Sequence, residues 1–358
     1  MHYRRLGRTG LQVSEISLGA SGLRGPSTEY ALRMARRAIE LGVNYFDTAS
    51  VYGDSEPKLG LALEGVRRDV FIATKVDATT AADAEQELAA SLCRLRTDYV
   101  DVLALHDISS PEDLDRRTAP GGAWEALEHA REAGTAGFIG ITGHRHDLLV
   151  RALRRCDADL VLFILNIVER GALQELIPLA LERDIGLVVM KPLAMGALPP
   201  RLALRYILSH PVSCAIPGPT RLDWLEADIA AGDTALPLSE EELARIERLR
   251  GEHDRARCRL CSLCEPCPQG VRIAYALGTY RFYNDARNMG PRGMASFPWG
   301  EWAREHLPRE LATVTAGIRR CDGCGQCEPR CPYGLPIVQQ LRAMLPALAE
   351  MQGVVSDW

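Results

Sequence analysis

Four polar residues stand where they could move a proton, and eight cysteines stand elsewhere in two clusters. Asp47 lies in the apolar run VNYFDTA, Lys75 in VFIATKV and His106 at the end of YVDVLALH, while Tyr52 follows Asp47 by five positions. Together these residue types make a proton-delivery set. A phenol with a free pKa of ~10 is a poor proton donor near neutrality. A neighbouring ammonium favours the phenolate and lowers that pKa. A carboxylate can hold the ammonium, and an imidazole can orient a carbonyl oxygen beside the phenol. Taken singly, each has a plainer use: a strand-end Asp caps a helix, and a lone His is a hydrogen-bonded structural group. Their order, each near the end of an apolar run, argues for chemistry.

Lysine usage points the same way. Of 42 Lys and Arg residues only Lys58, Lys75 and Lys191 are lysine. A chain that writes Arg almost everywhere keeps Lys where a compact, tunable ammonium is needed.

The cysteines make the second constellation. Cys258, Cys261 and Cys264 have two-residue gaps, and Cys267 precedes Pro268; Cys321, Cys324 and Cys327 repeat the gaps, and Cys331 precedes Pro332. The second run matches the iron–sulfur pattern C-x2-C-x2-C-x3-C-P, and the first is one residue shorter before its last cysteine. Zinc is the rival, because four-cysteine zinc sites also use paired two-residue gaps. Unbroken triplets ending in Cys-Pro favour iron–sulfur. Disulfides are disfavoured in a reducing compartment. Cys93, Cys156 and Cys214 lie in apolar or helical surroundings and are expected to be plain core residues.

These residues need elements to position them. Strand-length apolar runs cover 15–20, 43–49, 70–76, 99–106, 137–143, 160–166, 186–192 and 213–219. Their continuous apolar character suits strands buried on both faces of a parallel sheet. Amphipathic helices separate them, one starting at Ser27 or Thr28 and stopping at Gly42. The pattern predicts an α/β fold, a (β/α)8 TIM barrel, with catalytic groups at the C-terminal strand ends. A doubly wound open sheet is the runner-up, weakened because no G-x-G-x-x-G follows the first strand. An N-terminal hairpin, YRRLGRTGLQVS, is expected to close the barrel bottom. A last helix over 238–251, capped by Ser239, precedes an expected linker at 251–257. The domain reading is a barrel at 1–250 and a small α-helical iron–sulfur domain at 258–358.

The net charge of −5 gives no sign of a nucleic acid or an anionic membrane as partner. No apolar run approaches the length of a bilayer span. The opening MHYRRLGRTG has no apolar signal core, so the expected location is cytoplasmic.

The motifs GVNYFDTASVYGDSE, LGLAL, IATK and DVLALHD, in this order, resemble the aldo-keto reductases over roughly residues 1–250. The resemblance implies a catalytic tetrad of Asp47, Tyr52, Lys75 and His106, with Tyr52 the acid, Lys75 and Asp47 tuning it, and His106 orienting substrate. It also implies NADP or NAD as hydride carrier and a small-molecule carbonyl or alcohol as substrate. The expected cofactor-side residues are Thr142, Asn166, Lys191, Pro217, Gly218 and Arg221. Strand-end turn chemistry is the plainer reading of Asn166, Lys191 and Pro217–Gly218. Here the chain departs from better-known members: Gly143 stands in an Asn place, Leu162 in a Gln place and Trp224 where a 2′-phosphate arginine often sits, with Arg221 nearby. His144 follows the same run and faces the same mouth, as a substrate contact or as an exposed loop residue.

The cysteine segment resembles a ferredoxin-type domain with two 4Fe-4S clusters, which a branch of the aldo-keto reductases carries at the C-terminus. In that pattern the fourth cysteine of each motif serves the other cluster. One cluster would use Cys258, Cys261, Cys264 and Cys331, the other Cys321, Cys324, Cys327 and Cys267. The resulting expectation is an oxidoreductase that reduces carbonyls or oxidises alcohols with nicotinamide. The alternatives are an electron-transfer enzyme coupling the barrel to a ferredoxin or flavoprotein partner, and a cofactor-binding redox sensor with little turnover.

Overall fold

Each of the eight apolar runs contains a strand, and each strand pairs in parallel with the next along the chain. The computed structural model describes residues 1–24, 27–194, 196, 198–233, 236–254, 258, 261–278 and 300–356. Its strands are β1 Tyr3–Arg5, β2 Gln12–Ser14, β3 Leu18–Gly19, β4 Tyr45–Asp47, β5 Phe71–Val76, β6 Val100–Leu105, β7 Ala136–Thr142, β8 Leu160–Ile164, β9 Gly186–Met190 and β10 Cys214–Ala215. Strands β3 to β10 lie side by side in sequence order. The two ends of this sheet then meet. Ala215 donates its N–H to the Glu15 carbonyl, Ser17 to the Ala215 carbonyl at 2.9 Å, and Gly19 to the Pro217 carbonyl at 2.8 Å. Closure leaves no open sheet edge, as a barrel requires.

Side chains alternate faces along a strand, so one phase of every strand fills the barrel interior. That phase supplies Tyr45, Ala73, Val102, Leu160, Leu162, Val188 and Cys214 to a single apolar cluster. Leu6 and Val13 from the hairpin of β1 and β2 join it from below. The hairpin is seated by Arg4, which donates to the carbonyls of Leu208 at 3.0 Å and Val212 at 3.2 Å. Gly7, at φ +50°, lies so close to Gly186 that a Cβ there would stand 2.2 Å from the Gly186 nitrogen. The hairpin does close the bottom.

Helices cover the outside. Thr28–Glu40 is capped by Ser27, whose side chain accepts from the Tyr30 N–H. In Ala81–Leu95 the buried positions are Ala84, Leu88, Ser91 and Leu95, which puts Cys93 on the solvent face. Cys156 and Cys214 are buried as expected, but Cys93 is not a core residue: local apolar composition did not reveal which face it takes.

The chain divides into two compact units, Met1–Leu243 and Ala244–Trp358. Ser239 and Glu242 form a reciprocal capping box at the start of Glu240–Asp254. That helix runs to Asp254, into the stretch expected as linker; residues 255–257 lie outside the described residues. The second unit contains helices Gly300–Arg319 and Ile337–Ser356. Its core holds Leu311, Val314, Ile318, Leu341 and Leu348 together with the cysteine loops. The middle of the segment between the two cysteine motifs, 279–299, lies outside the described residues. No described helix is long and apolar enough to cross a membrane.

Candidate functional site

The interior phase of the strands also selects the residues at their upper ends. Asp47 follows Tyr45 by two, Lys75 follows Ala73 by two, and His106 follows Val102 by four, so all three stand above the barrel core. Lys75 and Asp47 are 1% and 4% exposed. Lys75 Nζ donates to Asp47 Oδ1 at 2.7 Å and to the Thr48 carbonyl at 2.6 Å. Its ammonium lies 5.1 Å from the centroid of the Tyr52 ring, and that ring meets His106 edge to face at 5.8 Å. The four expected residues are therefore brought together. Tyr52 is held by its loop: its N–H donates to the Ala49 carbonyl, and Ser55 ties the next turn to the Ala20 carbonyl at 2.7 Å.

Burial sets the charge states. Burial pushes the Asp47 carboxyl up while Lys75 pulls it back. Burial works against the Lys75 ammonium, but Asp47 and then Tyr52 raise its pKa above the usual lysine value. The ion pair is the favoured state, because the ammonium has a second acceptor in Thr48. For Tyr52 the sequence-based expectation of a lowered pKa is incomplete. Lys75 and Arg24 do pull it down, but burial is the larger effect and Asp47 adds to it, so the phenol lies above its usual value. It keeps its proton at neutral pH. Burial, then Lys75, push His106 down to about 4. The ring is neutral at pH 7, and its Nδ1 is buried without a hydrogen-bond partner.

Further residues stand around this core. Arg117 donates to the His106 carbonyl at 2.6 Å and pairs with Asp113 at 3.0 Å, holding the backbone behind the ring. Asp107 and Lys191 have φ of 48° and 52°, a region that side-chain-bearing residues rarely adopt. Asp107 Oδ1 lies 2.6 Å from His144 Nδ1, and its N–H donates to Thr142 Oγ1 at 2.8 Å. Sequence reasoning missed Asp107, Arg24 and Arg117; the only signal was position, since Asp107 follows His106 directly.

The expected cofactor-side residues divide. Thr142 stands in the interior phase, and its hydroxyl holds the Asp107 N–H. Asn166 is fully buried, and its amide is committed to its own loop and to the end of β9: Nδ2 donates to Glu169 and to the Lys191 carbonyl, while Oδ1 accepts from Val168 and Glu169. The Lys191 ammonium lies within electrostatic range of Asp107. Pro217 is fastened to Gly19, Gly218 is exposed, and the helix Leu222–Gly232 starts shortly after them. Arg221 is exposed, forms a two-pronged pair with Asp223 at 2.8 and 2.9 Å, and lies over the Trp224 ring.

In the second unit all eight cysteines are free thiols, and six of them pack in or against one apolar core. Burial pushes the Cys264 thiol up to about 12, with Cys258 and Cys261 as neighbours. Burial also raises Cys327, whose cysteine neighbours are Cys321 and Cys267. Cys267 thus lies beside the second triplet rather than only beside its own. Arg330 ties the two motifs together, donating to the Gln326 carbonyl at 3.1 Å and the Pro266 carbonyl at 3.0 Å. Among the described residues no three His, Cys, Asp or Glu side chains converge on one point as a single metal ion needs. A cluster instead takes one thiolate at each iron corner, and an all-thiol donor set in apolar surroundings fits that group.

Comparison with known proteins agrees with both halves. The family model described as "Aldo/keto reductase family" matches residues 15–201, and that of the "4Fe-4S dicluster domain" matches 257–335. The chain is 31% identical over 302 residues to L-galactose dehydrogenase of Arabidopsis thaliana, covering 69% of this chain and 93% of that protein. It is 30% identical over 228 residues to D-threo-aldose 1-dehydrogenase of a Pseudomonas species, covering 53% of this chain and 68% of that one. Among solved structures, the holo form of an aldo-keto reductase from Bacillus halodurans superposes with a TM-score of 0.61 at 29% identity, over 70% of this chain and 96% of its own.

Proposed function

This chain belongs to the aldo/keto reductase family and carries a 4Fe-4S dicluster domain, and on that premise we propose that it is a nicotinamide-dependent oxidoreductase of carbonyls and alcohols. The observation that carries the reading is the buried Lys75–Asp47 pair set under the Tyr52 ring. A nicotinamide cofactor, NADP or NAD, would supply hydride to the carbonyl carbon. Tyr52 gives its proton to the oxygen as negative charge grows there, and the Lys75 ammonium stabilises the phenolate left behind. His106 is neutral, and in the tautomer with its proton on Nε2 it would donate to the carbonyl oxygen and fix the carbonyl beside the phenol. In the reverse direction the phenolate takes the alcohol proton.

The cofactor would lie along the strand C-termini, as in other barrels. Backbone approach favours this: Gly22 is packed so that a Cβ would stand 2.6 Å from the Pro219 carbonyl oxygen. The helix Leu222–Gly232 starts beside this stretch, and a pyrophosphate at its first turn would have to displace the Tyr30 hydroxyl and the Asp223 carboxylate from its N–H groups. Thr142 and Lys191 stand at the mouth; Asn166 would act by shaping its loop. Arg221 is already neutralised by Asp223, so a 2′-phosphate would have to displace that pair.

The clusters would be held as the crossed neighbours suggest, with Cys267 joining Cys321, Cys324 and Cys327, and Cys331 joining Cys258, Cys261 and Cys264. The dicluster domain favours a second reading, in which a ferredoxin or flavoprotein exchanges single electrons with this unit. Anaerobically prepared protein tested for carbonyl-dependent oxidation of NADPH and NADH decides the first reading. Turnover supports it, and a protein that binds nicotinamide yet turns over no carbonyl or alcohol refutes it.

A further inference from the structure

The ladder between β4 and β5 gives out where the acid and its tuning lysine part company. Paired residues run from Tyr45 and Phe71 to Asp47 and Ala73. Above them the Thr48 N–H still reaches the Ala73 carbonyl at 2.8 Å, but the Ser50 N–H meets the Lys75 carbonyl only at 3.5 Å, longer than an ordinary backbone bond. Tyr52 leaves with one chain, in a turn that its own N–H closes on the Ala49 carbonyl, and Asp77 leaves with the other. A carboxylate spans the widening gap. Glu87, half-buried on helix Ala81–Leu95, accepts from the Ser50 hydroxyl on Oε1. On Oε2 it accepts from the N–H groups of Asp77 at 2.8 Å and Ala78 at 3.0 Å. Ser50 lies inside the turn that carries Tyr52, and Asp77 follows Lys75 by two.

Hydrogen bonds to a carboxylate are charge-assisted and about twice as strong as neutral ones. Glu87 directs three of them at two loops from one helix, so it continues by side chain the pairing that the strands have ended. The proton transfer depends on that pairing. Lys75 is fixed on its strand by Asp47 and Thr48, whereas Tyr52 stands on a loop, and the phenol is useful only while its ring keeps its place beside the ammonium. Asp77 also turns its carboxylate toward His106 Nδ1, at 3.7 Å, so the tied segment borders the histidine as well. We propose that Glu87 is a positioning residue, which holds the Tyr52 turn in register with the strand end that carries Lys75 and so sets where the phenol hydroxyl meets the substrate oxygen. It acts through those two loops and not by contact with the reacting atoms. The inference rests on the carbonyl-reductase reading above, with Tyr52 as the acid.

The test is a double-mutant cycle in the full-length holoprotein, with glyceraldehyde and nitrobenzaldehyde as probes and saturating NADPH or NADH. Glu87→Ala is expected to lower kcat by about 10–100-fold, the cost of a catalytic group displaced by about 1 Å, and to leave the nicotinamide KM within about twofold. In a Tyr52→Phe background, where there is no hydroxyl to place, the same change is expected to cost less than about threefold. Ser50→Ala cuts the link to the Tyr52 turn and keeps both N–H bonds, and it is expected to reproduce most of the loss. Glu87→Gln can accept both N–H groups on Oε1 and donate to Ser50 from Nε2, and it is expected to recover most of the turnover. Thermal unfolding shows whether each variant is folded, and if Glu87→Ala is not, the same cycle run with Ser50→Ala decides. An equal loss with and without the Tyr52 hydroxyl, or a wild-type kcat in Ser50→Ala, overturns this inference and leaves the reductase reading standing. Turnover of neither aldehyde by wild type overturns both together.

Discussion

Lys75 Nζ stands over the Tyr52 ring, 5.1 Å from its centroid, while bonded at 2.7 Å to Asp47. The ammonium thus belongs to a buried ion pair on one side and touches the mouth on the other. A cation that close to an aromatic face is attracted to the neutral phenol and far more to the phenolate. The stabilisation is greatest when the proton has left, which is where catalysis needs it.

Removing the acid while keeping the ring is the first check. Tyr52→Phe is expected to lower carbonyl turnover by about 10²–10⁴, the usual worth of a positioned proton donor. Nicotinamide binding, followed by fluorescence titration, should barely change. Near-full turnover in the variant would refute the assignment.

Lys75→Arg tests compactness rather than charge. The guanidinium is larger and planar, and it has to enter a space where the ammonium meets Asp47 and Thr48 within 2.7 Å. A loss of turnover of about 10² or more is expected. A fully active Arg variant would remove the argument from lysine scarcity as well.

His106 links stability to acid. The folded ring takes its proton near pH 4, whereas an unfolded histidine takes it near 6.5, so between these values the unfolded chain binds more protons. Stability therefore falls as the pH drops from about 6.5 toward 4, and the part due to His106 reaches about 3 kcal/mol. Denaturation midpoints of the folded barrel, measured across this range, should drop less steeply in His106→Gln than in wild type. Parallel curves would show that His106 is not held neutral by the fold.

The crossed thiol arrangement predicts about eight irons per chain with matching sulfide. Cys267→Ser and Cys321→Ser should then leave the same surviving cluster by electron paramagnetic resonance after reduction. Cys258→Ser and Cys331→Ser should leave the other one. Identical spectra for Cys267→Ser and Cys258→Ser would instead mean that each motif serves a single cluster. Stripping the iron should cost order in the second unit, since ligation contributes folding energy.

Nicotinamide alone should not bleach the visible band of the anaerobic protein. Hydride carries two electrons together, and a 4Fe-4S centre ordinarily takes one. Rapid bleaching by NADH or NADPH without added flavin would favour the electron-transfer reading.

Much of this was legible in the sequence because a barrel strand buried on both faces writes itself as a continuous apolar run. The period of two within those runs then places Asp47, Lys75 and His106 above the core without further information. Other features were not legible, for physical reasons. Composition shows that Lys75 can lower the Tyr52 pKa but not how deeply the phenol is packed, and burial wins. Asn166 reads as a spare strand-end amide, whereas saturation of its amide by Glu169, Val168 and Lys191 is a fact of three dimensions. Asp107 gains its meaning from a backbone angle and from a histidine 37 residues away. Cys93 takes the solvent face of its helix, whereas Cys156 is the extended, buried residue that follows another helix.

The Arg330 tie to Pro266 and Gln326, with Cys267 beside Cys327, would give the second unit an order of assembly under the proposed ligation. During synthesis the first motif leaves the ribosome well before the second, and under the proposed crossed ligation it would then hold only three of the four thiols of its cluster. Cys267 waits for partners that do not yet exist. With the proposed crossed ligands, the centre that includes Cys267 could be completed only after residue 327 has emerged and the other only after residue 331, which would make maturation late and nearly simultaneous. A chain interrupted anywhere between the motifs would be delivered to quality control without a finished centre.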